Sequence, residues 1–156
     1  TVELIGTAGR WLKDRELVEA VAAYWDAVGI KAKVRIFEFN EYLNRLFDRK
    51  TRGDAIFVVS SNELLDADKS FSAYYKSGGI GSSNTNADLA ALIDQARTET
   101  DPDKRLALYH QAVQLAHDQA YFLWLLNIED IYGLSERLQW KGRVDAKLLV
   151  SEMQVQ

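Results

Sequence analysis

The sequence predicts an α/β fold with a parallel β-α-β-α-β core and flanking helices, and three observations carry that expectation. Short apolar runs and helically spaced apolar residues alternate along the first sixty positions. Between Ile30 and Phe37, Ile30, Ala32, Val34 and Ile36 face one way and Lys31, Lys33 and Arg35 the other, as on a strand with one solvated face. Ala55–Val59 is apolar on both faces, which suits an inner strand of a parallel sheet and makes 30–37 the outer one.

Val2–Ile5 is the first strand-like run. Asp14 is placed to cap a helix carrying Leu17, Val18, Val21, Trp25 and Val28, and Gly29 suits its left-handed end. Asn40 is the expected cap of a second helix with Tyr42, Leu43, Leu46 and Phe47 inside, and Arg52-Gly53-Asp54 leads into the third strand. A short helix over Asp68–Tyr75, capped by Asp68, precedes a Gly- and Ser-rich loop at 78–84. Asn86 caps the next helix, and Asp101-Pro102 supplies an N-cap and first-turn proline for a long one through Leu108, Ala112, Leu115 and Ala116. Ala120–Leu126 reads as a strand or core segment and Leu148–Val150 as a final strand; Trp25 and Trp124 fall within apolar stripes.

A chain of 156 residues, 47% hydrophobic, is long enough to bury a proper core. Its 19 basic against 23 acidic residues, with no run of one sign, argue against a nucleic-acid groove. The lack of cysteine removes disulfides, thiolate metal sites and thiol catalysis. The opening inside a strand-like segment predicts that the chain starts within a longer protein.

Ligands of a parallel sheet bind beyond the carboxyl ends of its strands, here 6–13, 37–41 and 60–68. Gly6-Thr7-Ala8-Gly9 lacks the third glycine and the immediate helix of a dinucleotide fingerprint, so no cofactor is expected. His110 and His117 lie about 10 Å apart along one helix, too far to share a metal ion unaided. Asp66-Ala67-Asp68 begins like a calcium loop but has Phe71 where glycine is needed and Ser77 where glutamate is needed. There is no G-x-S-x-G elbow and no H-E-x-x-H helix, so an enzyme is not expected. Trp11, in a polar loop at the ligand end, either offers a stacking surface or packs on a neighbouring helix. The topology sets Arg10, Trp11, Ser60, Ser61, Asn62, Glu63, Asp66 and Asn127 as candidate ligand-binding residues.

Four stretches in order resemble solute-binding protein family 5, the oligopeptide, dipeptide and nickel-binding group. They are Gly9–Glu16 with Val28–Val34, Arg52–Phe57, Asp66–Phe71 with Thr85–Ala96, and Thr100–Arg105 with Leu108-Tyr109, Ala112 and Asp118–Ala120. Two prolines of the family pattern are Ala67 and Ala87 here, and a tryptophan usual after the third strand is replaced near Ser60-Ser61. The resemblance implies one lobe of a type II periplasmic-binding fold, with residues 1–126 as the second lobe and 127–156 returning toward a first lobe. It implies capture of a small solute or short peptide for an ABC permease, in a periplasmic or membrane-anchored extracellular protein. It also implies an acid after the third strand, Glu63 or Asp66, that holds a peptide's amine. In a lobe lacking its partner, 127–156 is expected either to fold back onto the lobe's own sheet or to mediate self-association. The competing readings are a free-standing receiver-like domain, which would need an acidic pair after the first strand where Gly6–Gly9 offers none, and a small hydrolase using a loop acid.

Overall fold

The computed structural model describes all residues, 1–156. They form two compact units, residues 1–60 with 78–83 and residues 61–77 with 84–156.

The first unit is built on a parallel three-stranded sheet. Strand β1 (Val2–Thr7) leads through a loop into helix α1 (Asp14–Ala27), strand β2 (Ala32–Phe37), helix α2 (Phe39–Phe47) and the short strand β3 (Ala55–Ile56). The order is β2-β1-β3, with Val2 opposite Ala32 and Leu4 opposite Ala55. The inner strand is therefore β1, which corrects the expectation that Ala55–Val59 would be inner. Leu4, Ile5 and Thr7 of β1 are buried, whereas residues 55–59 are half-buried and only Ala55 and Ile56 keep strand pairing. An apolar run shows that both faces can be covered, but strand order depends on which edge each crossover returns to.

Gly6 explains how α1 seats on this sheet. A Cβ there would lie 2.6 Å from Val18 Cγ2 and 3.2 Å from Ile36 Cδ1, so only a glycine lets the helix approach. Below the strands, Ile5, Tyr42 and Leu46 form the core with Phe37, Phe39, Leu43, Ile56 and Val58. The Tyr42 hydroxyl donates to the Phe57 carbonyl (2.7 Å) and the Thr7 hydroxyl to the Phe37 carbonyl (3.0 Å), so these buried polar groups cost little. Helix α1 ends with Gly29 at φ +85. Helix α2 is capped by the Glu38 side chain, which accepts from the Asn40 N–H, and not by Asn40 itself. Glu38 stands one residue outside the helix with extended backbone, where a side-chain acceptor can reach back to the second turn position. Arg52, 4% exposed, fastens residues 78–83 to this unit by donating to Ser83 Oγ (2.8 Å) and the Ile80 carbonyl (3.0 Å).

The second unit is helical. Helix α3 (Asp68–Ser70) continues as a π-helical turn, Phe71–Tyr75, followed by α4 (Ala87–Thr98) and α5 (Pro102–Asp118). Asn86 caps α4 through the Leu89 N–H, and Asp101 caps α5 through those of Asp103 and Lys104, as the sequence predicts. The expected cap of α3 lies elsewhere: Asp66, not Asp68, accepts the Asp68 N–H (2.8 Å). Leu89, Ile93 and Ala96 meet Tyr109, Ala112, Ala116 and Phe71, and the three alanines allow close helix contact.

The run 120–126 is not a strand, and of its side chains only the half-buried Phe122 packs on the helical core. It has no regular structure, and Leu123, Trp124, Leu125 and Leu126 are exposed, Trp124 at 46%. Trp124 is held at its polar edge, where Nε1 donates to the Tyr75 hydroxyl (3.1 Å), while its ring neighbours Phe122 and His117. Leu148–Val150 is not a strand either. The last residues form a separate antiparallel pair, β4 (Leu138–Gln139) with β5 (Gln154–Val155), separated by a 3-10 turn at Val150–Glu152. Arg143 ties this segment together with a two-pronged bond to Asp145 (both 2.8 Å) and a contact to Glu152 (2.6 Å). High apolar content made both runs look strand-like, but neither finds a neighbouring backbone to pair with.

Candidate ligand loops

The loop after β1 is shaped by Asp14. This carboxylate, 3% exposed, accepts the backbone N–H groups of Gly9 (3.1 Å), Arg10 (2.8 Å), Trp11 (3.0 Å) and Arg15 (2.8 Å). Asp14 is thus the first residue of α1 and not its cap, while Lys13 precedes it in the left-handed region at φ 58. Burial alone would raise the Asp14 pKa, but the N–H donors of Trp11, Arg10, Gly9 and Arg15 outweigh it, and the pKa is lowered.

Trp11 packs edge-on against Phe39 (5.8 Å), Tyr42 (5.9 Å) and Phe57 (6.2 Å) and stays half-buried. Packing on the neighbouring helix therefore accounts for part of the ring, and its remaining exposed area is free for contact. The Arg10 guanidinium lies 5.0 Å over the Phe39 ring in an otherwise exposed residue. Arg10 and Trp11 are brought together in one loop of the first unit, and Ser60 ends the first of that unit's two segments in an exposed position.

Residues 61–66 belong to the second unit. Glu63 is exposed, ion-paired with Lys69 and bonded by the Ser61 hydroxyl (2.9 Å); the Lys69 ammonium above all pulls its pKa down to about 2. Asn62 Oδ1 accepts the Asp66 N–H (3.2 Å), closing a turn with Leu65 at φ 54. Asp66 is fully engaged. Both its oxygens take the Arg105 fork (2.9 and 2.7 Å), which holds its pKa down, and one also accepts the Asp68 N–H. Asn127 lies in the exposed irregular segment, on no element shared with the other candidates.

Sequence reasoning missed the service of Asp14 to the loop before it and the Arg105–Asp66 bond. An acid at a helix start after a glycine-containing loop was a signal for the first; nothing local links positions 39 residues apart for the second. Two shallow depressions of about 480 and 430 Å³ lie instead around the end of α2, lined by residues such as Glu41, Arg45, Arg49 and Thr51. His110 and His117 are both exposed on α5.

No family model matches the chain. Individual proteins do. The dipeptide-binding protein of Escherichia coli K12 is 31% identical over 111 residues, covering 68% of this chain and 20% of the relative. Heme-binding protein A of Haemophilus influenzae is 28% identical over 136 residues, 85% of this chain and 24% of the relative. The structure of the oligopeptide-binding protein AppA of Bacillus subtilis, in complex with a nonapeptide, superposes on 99% of this chain and 31% of its own, at a TM-score of 0.66 and 15% identity. The chain is thus similar in sequence to part of dipeptide- and heme-binding proteins, and in fold to part of an oligopeptide-binding protein. Its architecture is that of a type II periplasmic-binding-protein lobe. It spans between a fifth and a quarter of the length of the curated relatives it matches. Those relatives are named as binding proteins and not as enzymes.

Proposed function

We propose that the chain is the second lobe of a periplasmic binding protein that captures short peptides and presents them to an ABC permease. The observation that carries this reading is the 31% identity with a dipeptide-binding protein. In this reading residues 127–156 return toward a first lobe, and Arg10, Trp11 and Ser60 to Glu63 touch the ligand.

Of the two acids that the family pattern allows for a peptide's amine, Glu63 is the better supported. Asp66 has both oxygens committed to Arg105, and a carboxylate already held by a guanidinium has little left for an ammonium. Glu63 is exposed, ionised and paired with a flexible lysine that an incoming cation can displace. Asp66 serves the site by fixing the turn that carries Glu63. Asn127 has no such support beyond its exposure.

The test is calorimetry with dipeptides on the two-lobed protein and on the 156-residue chain alone. The expected result is micromolar binding by the former and millimolar or weaker by the latter, because half of a site worth about 8 kcal/mol is missing. Glu63→Gln should weaken the former at least tenfold, whereas failure of any dipeptide to bind, or release of free amino acids from it, would sink the reading.

A further inference from the structure

We propose that Asp14 is a positioning residue for ligand binding, a buried anion around which the 9–11 loop is wrapped so that Arg10 and Trp11 are set before ligand arrives. This rests on the reading of those two residues as ligand contacts.

The geometry supports it in three ways. Three consecutive N–H groups, of Gly9, Arg10 and Trp11, converge on the two oxygens of one carboxylate that is 3% exposed, and every hydrogen bond it makes is to backbone. Gly9 at φ +82 and Lys13 at φ 58 are the two left-handed residues that let the chain curl around it. The loop so fixed places Trp11 edge-on against Phe39, Tyr42 and Phe57 and Arg10 over Phe39, so backbone and side chains are held by different elements. A loop ordered in advance spares the ligand the entropy of ordering it. The charge belongs to this arrangement. Its position in the first turn of α1 favours an anion, and the lowered pKa keeps it one. A neutral amide in its place would turn an N–H₂ toward donors and satisfy them only in part.

Two measurements test the proposal. In the 156-residue chain, amide hydrogen exchange of Asp14→Asn should accelerate about tenfold or more at Gly9, Arg10 and Trp11 while Leu4 and Ile5 keep their protection. Unchanged exchange at 9–11, or an equal loss throughout β1, would overturn the clamp. In the two-lobed protein, binding of the dipeptide alanyl-alanine is measured for Asp14→Asn, for Arg10→Ala with Trp11→Ala, and for all three changes together. Asp14→Asn should weaken binding about tenfold alone and have little further effect once Arg10 and Trp11 are both gone. Additive effects would mean that Asp14 acts through overall stability, and the positioning role would fall. If the unaltered protein binds no peptide, the functional reading fails by itself, and the exchange result still decides whether Asp14 holds the loop.

Discussion

Two loops carry the candidate ligand residues, and each is shaped by an aspartate, by opposite means. Asp14 is buried and bonded only to backbone N–H groups; Asp66 is partly exposed and held by the Arg105 side chain, which in turn donates Nε to the Ala96 carbonyl (3.1 Å) at the end of α4. The first arrangement is local, spanning residues 9–15, and requires no partner side chain. The second joins segments 39 residues apart through two long side chains that water and salt can reach. A carboxylate buried among N–H donors resists salt and yields to acid, whereas an exposed fork yields to both.

The largest expected effect is that of Asp14→Ala, which strands three loop N–H groups and one at the helix start. We expect a loss of about 3 kcal/mol in urea unfolding, and a similar loss in 1 M sodium chloride. The acid response has a defined sign. Asp14 has a lower pKa folded than unfolded, so its contribution is complete above the ordinary aspartate value near 4 and disappears as pH falls through the folded-state pKa. The alanine variant should therefore lose less stability than the parent as pH falls below about 4. Equal slopes would show that the carboxylate is not specially stabilised.

Next is Gly6→Ala, directly beneath this loop. The added methyl meets the stiff Val18 side chain at 2.6 Å, and a destabilisation of about 2 kcal/mol is expected, partly relieved by Val18→Ala in the same chain. Full additivity of the two changes would mean that the clash is not the cause.

Changes in the second loop should be smaller. Arg105→Ala removes the fork, the Ala96 contact and a cation over the Tyr109 ring, for about 1.5 kcal/mol. Asp66→Asn removes only part of the fork, for about 1 kcal/mol, and that difference should shrink in 1 M salt. A salt-independent loss above that of Asp14→Ala would invert the comparison.

The same division explains what could be read from sequence. Caps at Asn86 and Asp101 depend on neighbours within three residues, and both were legible, as was the parallel β-α-β-α-β order from its periodicities. The candidates Arg10 and Trp11 follow from being in the loop after a strand. Strand order is different, because it depends on which edge of β1 each returning strand takes, and apolar content does not specify that. The 120–126 run failed as a strand for the same reason: its side chains suit one, but it joins no sheet. Asp66 looked available because its partner is far along the chain.

The central place of β1 also sets an order for folding. Its pairing with β2 joins residues 30 apart in sequence, such as Thr7 and Phe37, and its pairing with β3 joins residues 51 apart, such as Leu4 and Ala55. The longer closure costs only about 0.5 kcal/mol more chain entropy, but it forms two regular residue pairs where the shorter forms six. The β1-α1-β2 unit is thus the economical nucleus, and β3 docks on an edge already made. Substitutions such as Val34→Ala should slow refolding, while Ile56→Ala should chiefly speed unfolding, a split that stopped-flow kinetics can read directly.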